Sequence, residues 1–363
     1  MNSAPLEDEP GARRVEDLRI RQIRPLISPA LLQYDLPADA SVGAFVEQSR
    51  RSVADVVHGR DPRLLVIVGP CSIHDLDQAL EYARRLRAFA PEVGRELLPV
   101  MRVYFEKPRT TVGWKGFIND PFLDGSYHVN EGLRLARRLL LELARMEVPA
   151  ATEFLDLLSP QYLSDLISWG AIGARTTESP SHRQLASGLS CSIGFKNGTD
   201  GGVQMAADAL VACRASHAFM GVTKMGVAAV FETAGNDDCH IILRGGSRGP
   251  NYAAADIEAA CAVLRKSGVR ERVMVDCSHA NSEKKFERQV AVADDIARQM
   301  EAGERRVLGV MIESHLREGR QDLRPGQPLA PGVSITDACI GWEATQEVLR
   351  RLASAVRQQR ASA

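Results

Sequence analysis

From Leu64 onward the chain repeats one pattern eight times: a short β-branched or apolar run, a polar or Gly-rich tip, then a longer stretch with helical spacing. The runs are LLVIVGPC (64–71), VMRVYFEKP (100–108), AATEFLD (150–156), AIGARTTES (171–179), CSIGFKNG (191–198), HIILRGG (240–246), VMVDCSH (273–279) and VLGVMIESH (307–315). Between them lie plausible helices such as DQALEYARRLRAFA from Asp77 and GLRLARRLLLELARM from Gly132, the second with apolar residues on a 3.6-residue period. Crossovers of that size suit parallel strands. An open doubly wound sheet shares this alternation, but eight units without a GxGxxG turn favour closure into a (β/α)8 TIM barrel. Such a barrel needs roughly 250 residues, so the chain carries additions. Residues 61–363 are read as the barrel with a β-hairpin inserted at 217–236, where two strand-like runs meet across Thr-Lys-Met-Gly with no helix between them. Residues 1–60 are read as an extension whose charged, partly helical DLRIRQIRP forms an arm that docks elsewhere, in the service of assembly and regulation.

The balance of charge narrows the partners. A formal net charge of −1 over 363 residues gives no global field for nucleic acid or an anionic membrane surface. The apolar runs fall far short of the roughly 20 residues of a membrane span, and the start MNSAPLEDEPGARR lacks the basic and apolar regions of a signal peptide. A cytoplasmic location is expected. The seven cysteines (Cys71, Cys191, Cys213, Cys239, Cys261, Cys277, Cys339) are scattered without a CxxC pair, so each is expected to be a free thiol unless a metal claims it.

In a barrel the active site is built from the C-terminal strand ends and the loops after them, and here those tips are polar. One set is cationic: Arg102, Lys107, Arg109, Arg175, Lys196 and Arg244. Singly, each reads as a rim salt bridge with Glu106, Asp156 or Glu178. Together, six cations converging on partly buried strand ends imply anionic ligands, with Arg suited to bidentate phosphate or carboxylate recognition. A second set, Cys71, His279, Glu313 and Asp337, offers thiolate, imidazole and carboxylates, a mixture acceptable to Mn, Fe, Co or Zn. Spacing along the chain adds nothing, since the four are spread across it. The Gly-rich RGGSRGPNY (244–252) reads either as a phosphate cradle or as a tight βα turn.

From about Leu64 to the end, GPCSIHD, MRVYFEKPRTTVGWKGFINDP, EFLD, WGAIGARTTES, GFKNGTDG, HIILRGG, SHANS and SITDACIGWE resemble the motifs of the type I 3-deoxy-D-arabino-heptulosonate 7-phosphate (DAHP) synthases. The resemblance implies a transferase that condenses phosphoenolpyruvate with erythrose 4-phosphate and releases phosphate, at the head of the shikimate pathway to aromatic amino acids. Residue by residue, it implies a divalent metal on Cys71, His279, Glu313 and Asp337. Phosphoenolpyruvate falls to Arg102, Lys107, Arg175, Lys196 and Arg244, with Glu153 beside it, and the erythrose phosphate to Arg109 and Thr110. Lys107, between the two subsites, is the candidate for proton transfer, with Cys71 and His279 as the other catalytic positions. The additions look like that family's regulatory equipment, in which an aromatic amino acid binds away from the catalytic centre in a homodimer or homotetramer. Pro160, Gln161, Leu185, Leu189, Ser190, Phe219 and Gly221 match the effector pocket, and Gly221, where phenylalanine-responsive members tend to carry Ser, favours tyrosine.

Three other readings compete. A related synthase acting on arabinose 5-phosphate differs at the KPRTT stretch and lacks such a hairpin. A metal-free Schiff-base aldolase would use Lys107 or Lys196 as nucleophile. A non-catalytic amino-acid sensor on a retired barrel should have lost ligands, and none is missing.

Overall fold

The structure, a computed structural model, describes residues 15–108, 113–324 and 326–362. Eight parallel strands close into a barrel: β1 (Leu64–Gly69), β2 (Leu97–Arg102), β3 (Ala150–Glu153), β4 (Trp169–Ile172), β5 (Ser192–Lys196), β8 (Cys239–Leu243), β9 (Val273–Asp276) and β10 (Val307–Glu313). They neighbour one another in chain order, with β5 beside β8 and β10 closing onto β1. Two further strands, β6 (Ala218–Val222) and β7 (Ala228–Glu232), pair antiparallel outside the barrel as the expected hairpin.

Every residue of β1, β3, β4, β5, β8, β9 and β10 is buried, as strands covered on both faces require. One cluster fills the barrel: Leu65, Ile67, Val100, Tyr104, Ala151, Trp169, Ala171, Ile242, Met274, Leu308 and Met311. A larger one joins the outer strand faces to the surrounding helices.

The helix Ala40–His58 starts where Asp39 accepts from the amides of Ser41 and Val42, and ends at Gly59, held in the left-handed conformation at φ 76°. Its Val53 and Val56 belong to the cluster inside the barrel, so this helix plugs the N-terminal mouth. Before it, residues 15–28 are mostly exposed and carry no helix, which corrects the helical reading of DLRIRQIRP. That segment lies along the outside instead. Ile27 N donates to Asn130 Oδ1 at 2.9 Å, and Ala30 N donates to the carbonyl of Lys224 in the hairpin turn at 2.7 Å. Among the described residues no helix is long and apolar enough to cross a membrane. All seven cysteines are buried free thiols.

Candidate active site and metal centre

The polar tips close over one end of the barrel. A cavity of about 180 Å³ there is lined by Arg102, Lys107, Glu153, Arg175, Lys196, Thr199, Arg244, His279, Thr336 and Asp337, among others. Arg109 and Thr110 lie outside the described residues.

Close approach of β1 and β2 sets one wall. At Gly69 a Cβ would stand 2.9 Å from the Arg102 carbonyl oxygen, so only glycine lets β1 run this near. Cys71 follows at once, and its Sγ and one carboxylate oxygen each of Glu313 and Asp337 all lie within 4.8 Å of one another. Both oxygens of Glu313 are held from behind: Oε1 accepts from Arg102 Nη2 at 2.9 Å and Oε2 from Ser278 Oγ at 2.8 Å. The Cys71 thiol lies 3.6 Å from Asp337 Oδ2, and Lys107 Nζ lies 3.1 Å from Cys71 Sγ. Burial, and after it the charge of Glu313, pushes the thiol up to about 11. Burial works to lower Lys107, but Cys71, Glu313 and Asp337 outweigh it and keep the ammonium charged.

Three of the four expected ligands therefore converge, while His279 stands outside that tight group. It lines the same cavity from the loop after β9, at φ 55°, a left-handed conformation that costs a non-glycine residue about 1–3 kcal/mol. Its Nδ1 lies 2.9 Å from Asp276 Oδ2, although the angle falls short of a good hydrogen bond. That contact leaves Nε2 as the nitrogen available to a ligand.

Asp276, which sequence reasoning passed over, organises this wall. It is fully buried at the end of β9; Oδ2 accepts from Lys196 Nζ at 3.1 Å and Oδ1 from Ser278 N at 3.0 Å. Burial alone would raise its carboxyl, but His279, Lys196 and Arg102 hold it well below the usual carboxylate range. The only sequence signal was an acid closing the apolar run VMVD, eclipsed by His279 three residues on.

Rim salt bridges with Glu106, Asp156 or Glu178, the alternative for each cation taken singly, do not form among the described residues. Glu106 is buried and accepts from Ser159 Oγ at 2.8 Å, whereas Asp156 and Glu178 are exposed. The partners are instead Glu313 for Arg102 and Asp276 for Lys196. Arg102 is 1% exposed and bonds also to the carbonyls of Pro70 and Cys71, with its guanidinium 3.5 Å above the Tyr104 ring. Among the described residues, Arg175 bonds only to the Pro108 carbonyl at 3.2 Å, and the Arg244 side chain only to Gly245 O at 3.5 Å. The glycines after β8 make a turn in which the Gly246 and Gly249 amides and carbonyls bond reciprocally. A Cβ at Gly246 would stand 2.1 Å from Gly201 N, so loop packing accounts for that glycine.

A second, larger hollow of about 1150 Å³ lies beside the hairpin, lined by Pro160, Gln161, Leu185, Leu189, Ser190, Phe219 and Gly221. These are the seven residues matched to an effector pocket. Phe219 and Phe231 stack across the hairpin at 6.0 Å, and Lys224 in its turn donates to the Gln161 carbonyl.

Residues 38–350 match the DAHP synthetase I family. The chain is 55% identical over 345 residues to the Escherichia coli K12 "Phospho-2-dehydro-3-deoxyheptonate aldolase, Phe-sensitive", covering 95% of this chain and 98% of that protein. It is 52% identical over 343 residues to a Salmonella typhimurium protein of the same name marked Trp-sensitive, covering 94% and 98%. Among solved structures, the phospho-2-dehydro-3-deoxyheptonate aldolase of Francisella tularensis superposes with a TM-score of 0.92 at 49% identity, covering 94% of this chain and 99% of that one.

Proposed function

The chain belongs to the DAHP synthetase I family, and from that premise we propose that it condenses phosphoenolpyruvate with erythrose 4-phosphate and water to DAHP and phosphate, in a metal-dependent first step of the shikimate pathway. The observation that carries this reading is the convergence of Cys71, Glu313 and Asp337 beside a cavity walled by Lys107, Arg175, Lys196 and Arg244.

A thiol and two carboxylates suit a borderline divalent cation such as Mn, Fe, Co or Zn, and Cys71, Glu313, Asp337 and the Nε2 of His279 would hold it. Bound there, such a cation supplies a Lewis acid for an aldehyde oxygen. Arg175 and Arg244 take the phosphoenolpyruvate phosphate and carboxylate. Lys196 adds charge from its fixed place on Asp276, and Glu153 lies beside the enol. Arg102 contributes mainly from behind, since its guanidinium is committed to Glu313 and the Cys71 carbonyl. Arg109 and Thr110 are assigned to the erythrose phosphate. The enol carbon bonds to the aldehyde carbon, water adds to the carbon that bore phosphate, and phosphate leaves; Lys107 carries the proton to the new alkoxide. The test is product analysis. One phosphate released per phosphoenolpyruvate consumed, with a seven-carbon sugar acid formed, supports the reading, and consumption without erythrose 4-phosphate contradicts it.

The hollow at the hairpin takes an aromatic amino acid as feedback effector. A Cβ at Gly221 would stand 2.8 Å from Phe231 Cδ2, so glycine leaves Phe231 undisturbed and leaves room for a ring hydroxyl, which favours tyrosine. The relatives named Phe-sensitive and Trp-sensitive make phenylalanine and tryptophan the comparison arms, and inhibition by phenylalanine alone overturns the tyrosine assignment. Exposed Leu18, Ile20 and Ile23 before the plug helix, with Met220 and Val230 on the hairpin, support assembly as a homodimer or homotetramer, to be measured by light scattering.

A further inference from the structure

The opposite end of the barrel holds a cluster of cations that the synthase reaction does not use. Where β1, β9 and β10 begin, a pocket of about 310 Å³ is lined by Arg63, Arg272, Arg305 and Arg360, with Gly59, Leu64, Met300, Val307 and Gln359. Asp61 is the one acid among its lining residues, and Arg63 takes both of its oxygens: Oδ2 accepts from Nε at 2.9 Å and Nη2 at 2.6 Å, and Oδ1 from Nε at 3.1 Å. Arg272, directly before β9, is half-buried, and its Nε is shielded from solvent without a hydrogen-bond partner. Arg360 spends Nη1 on the Arg95 carbonyl at 2.9 Å, while its Nε and Nη2 are likewise shielded and find no partner among the described residues. Arg305 is exposed. Among the described residues no carboxylate pairs with Arg272, Arg305 or Arg360.

A shielded guanidinium without an acceptor is costly, and such groups normally have a partner. The fold makes deliberate room for this one: at Gly59, left-handed at φ 76°, a Cβ would stand 2.7 Å from Arg272 Nη1. Water could satisfy one such donor, but three donors on two guanidiniums around one hollow, with a third arginine at its edge, match the fork-like recognition of a tetrahedral oxyanion.

We propose that Arg272, Arg305 and Arg360 form an anion site at the N-terminal face of the barrel that binds a phosphate group, as inorganic phosphate or a small phosphomonoester. It is separate from the catalytic cavity. Arg272 and Asp276 stand at opposite ends of β9, a strand length of roughly 13 Å apart at about 3.3 Å per residue. The two sites therefore lie at opposite ends of the same strand.

The test compares wild type with R305Q/R360Q by titrating inorganic phosphate, glycerol 3-phosphate and acetate, following heat and thermal midpoint. Phosphate at the active site contributes equally to both proteins, so the difference reports this pocket. Wild type should show one more phosphate-binding event per chain, with affinity at least tenfold lower or absent in R305Q/R360Q and turnover unchanged. Response to phosphate but not to the monoester identifies the free ion as ligand; response to both identifies the group. R272M gives an independent reading, since removing an unpaired cation should raise the thermal midpoint in phosphate-free buffer and remove the same extra phosphate-binding event. Equal phosphate binding in wild type and R305Q/R360Q, or a lower midpoint for R272M without phosphate, overturns the proposal.

Discussion

Lys196 Nζ donates to Asp276 Oδ2 at 3.1 Å, joining two buried side chains at the tips of strands that do not touch each other. The same oxygen meets His279 Nδ1 at 2.9 Å. One carboxylate thus holds the cation proposed for the substrate and lies against the imidazole proposed for the metal, the carboxylate–histidine arrangement that tunes many metal sites.

Asp276→Asn should therefore act on both functions. Metal affinity is expected to fall about 10–100-fold, the usual range for losing such a support, and kcat/KM should fall with it because Lys196 is left buried without a counter-charge. Competition with a fluorescent chelator measures the first. Unaltered metal affinity in a folded D276N protein would dismiss the orienting role.

Metal uptake should be coupled to pH through Cys71. Burial, then Glu313, holds its thiol up at about 11, and a metal takes the thiolate, so binding must release a proton. Apparent affinity is expected to rise about tenfold per pH unit on the acid side of that value. Proton release in weakly buffered solution on adding Mn or Zn checks this, and pH-independent binding contradicts it.

Lys107→Met separates charge from proton transfer. If Lys107 moves the proton, kcat should drop about 100-fold or more, as for other general acids. A variant with near-normal kcat and only a raised KM would show that Lys107 merely attracts the substrate.

Glu106 predicts a pH dependence of stability outside the chemistry. Burial, offset by the Ser159 hydroxyl and aided by Asp156, lifts its carboxyl to about 7, above the roughly 4.3 of an unfolded chain. Between those values the folded state binds more protons, so stability falls as pH rises through this window and stays lower above about 7. Glu106→Gln should abolish that fall and stabilise the protein at pH 8 by up to about 3 kcal/mol. Denaturant unfolding at pH 5 and pH 8 provides the comparison; equal gains at both pH values would refute the assignment.

The barrel was legible because strands buried on both faces must be written in apolar residues, and each run located its strand. The ends were less so. VMRVYFEKP placed β2 at Val100, yet the strand begins at Leu97, because Pro99 hides its start; AIGARTTES began at Ala171, whereas β4 opens at Trp169. Most runs also overshot at the C-terminal side, since the polar tips are loops. At the site, Cys71, His279 and Glu313 were readable as strand-tip residues facing one cavity, but Asp337 has no strand tip to place it and the closeness of the group was not readable. Their convergence is made by barrel closure, which brings Cys71 beside a residue 266 positions away. The same closure makes pairings that the sequence does not show: Arg102 reaches Glu313 across the β1–β10 seam, and no local pattern encodes a contact 211 residues distant. Asp276 was missed for that reason too, because its partners Lys196 and Arg102 lie on other strands.

The most direct test of the central claim follows phosphoenolpyruvate consumption with erythrose 4-phosphate before chelation, after exhaustive EDTA treatment, and after separate restoration of Mn, Fe, Co and Zn. The expected result is activity that disappears with the chelator and returns with at least one of these metals, and only when both substrates are present. Undiminished activity in the metal-stripped protein, or no consumption with any of the four, would contradict a metal-dependent condensation at Cys71, His279, Glu313 and Asp337.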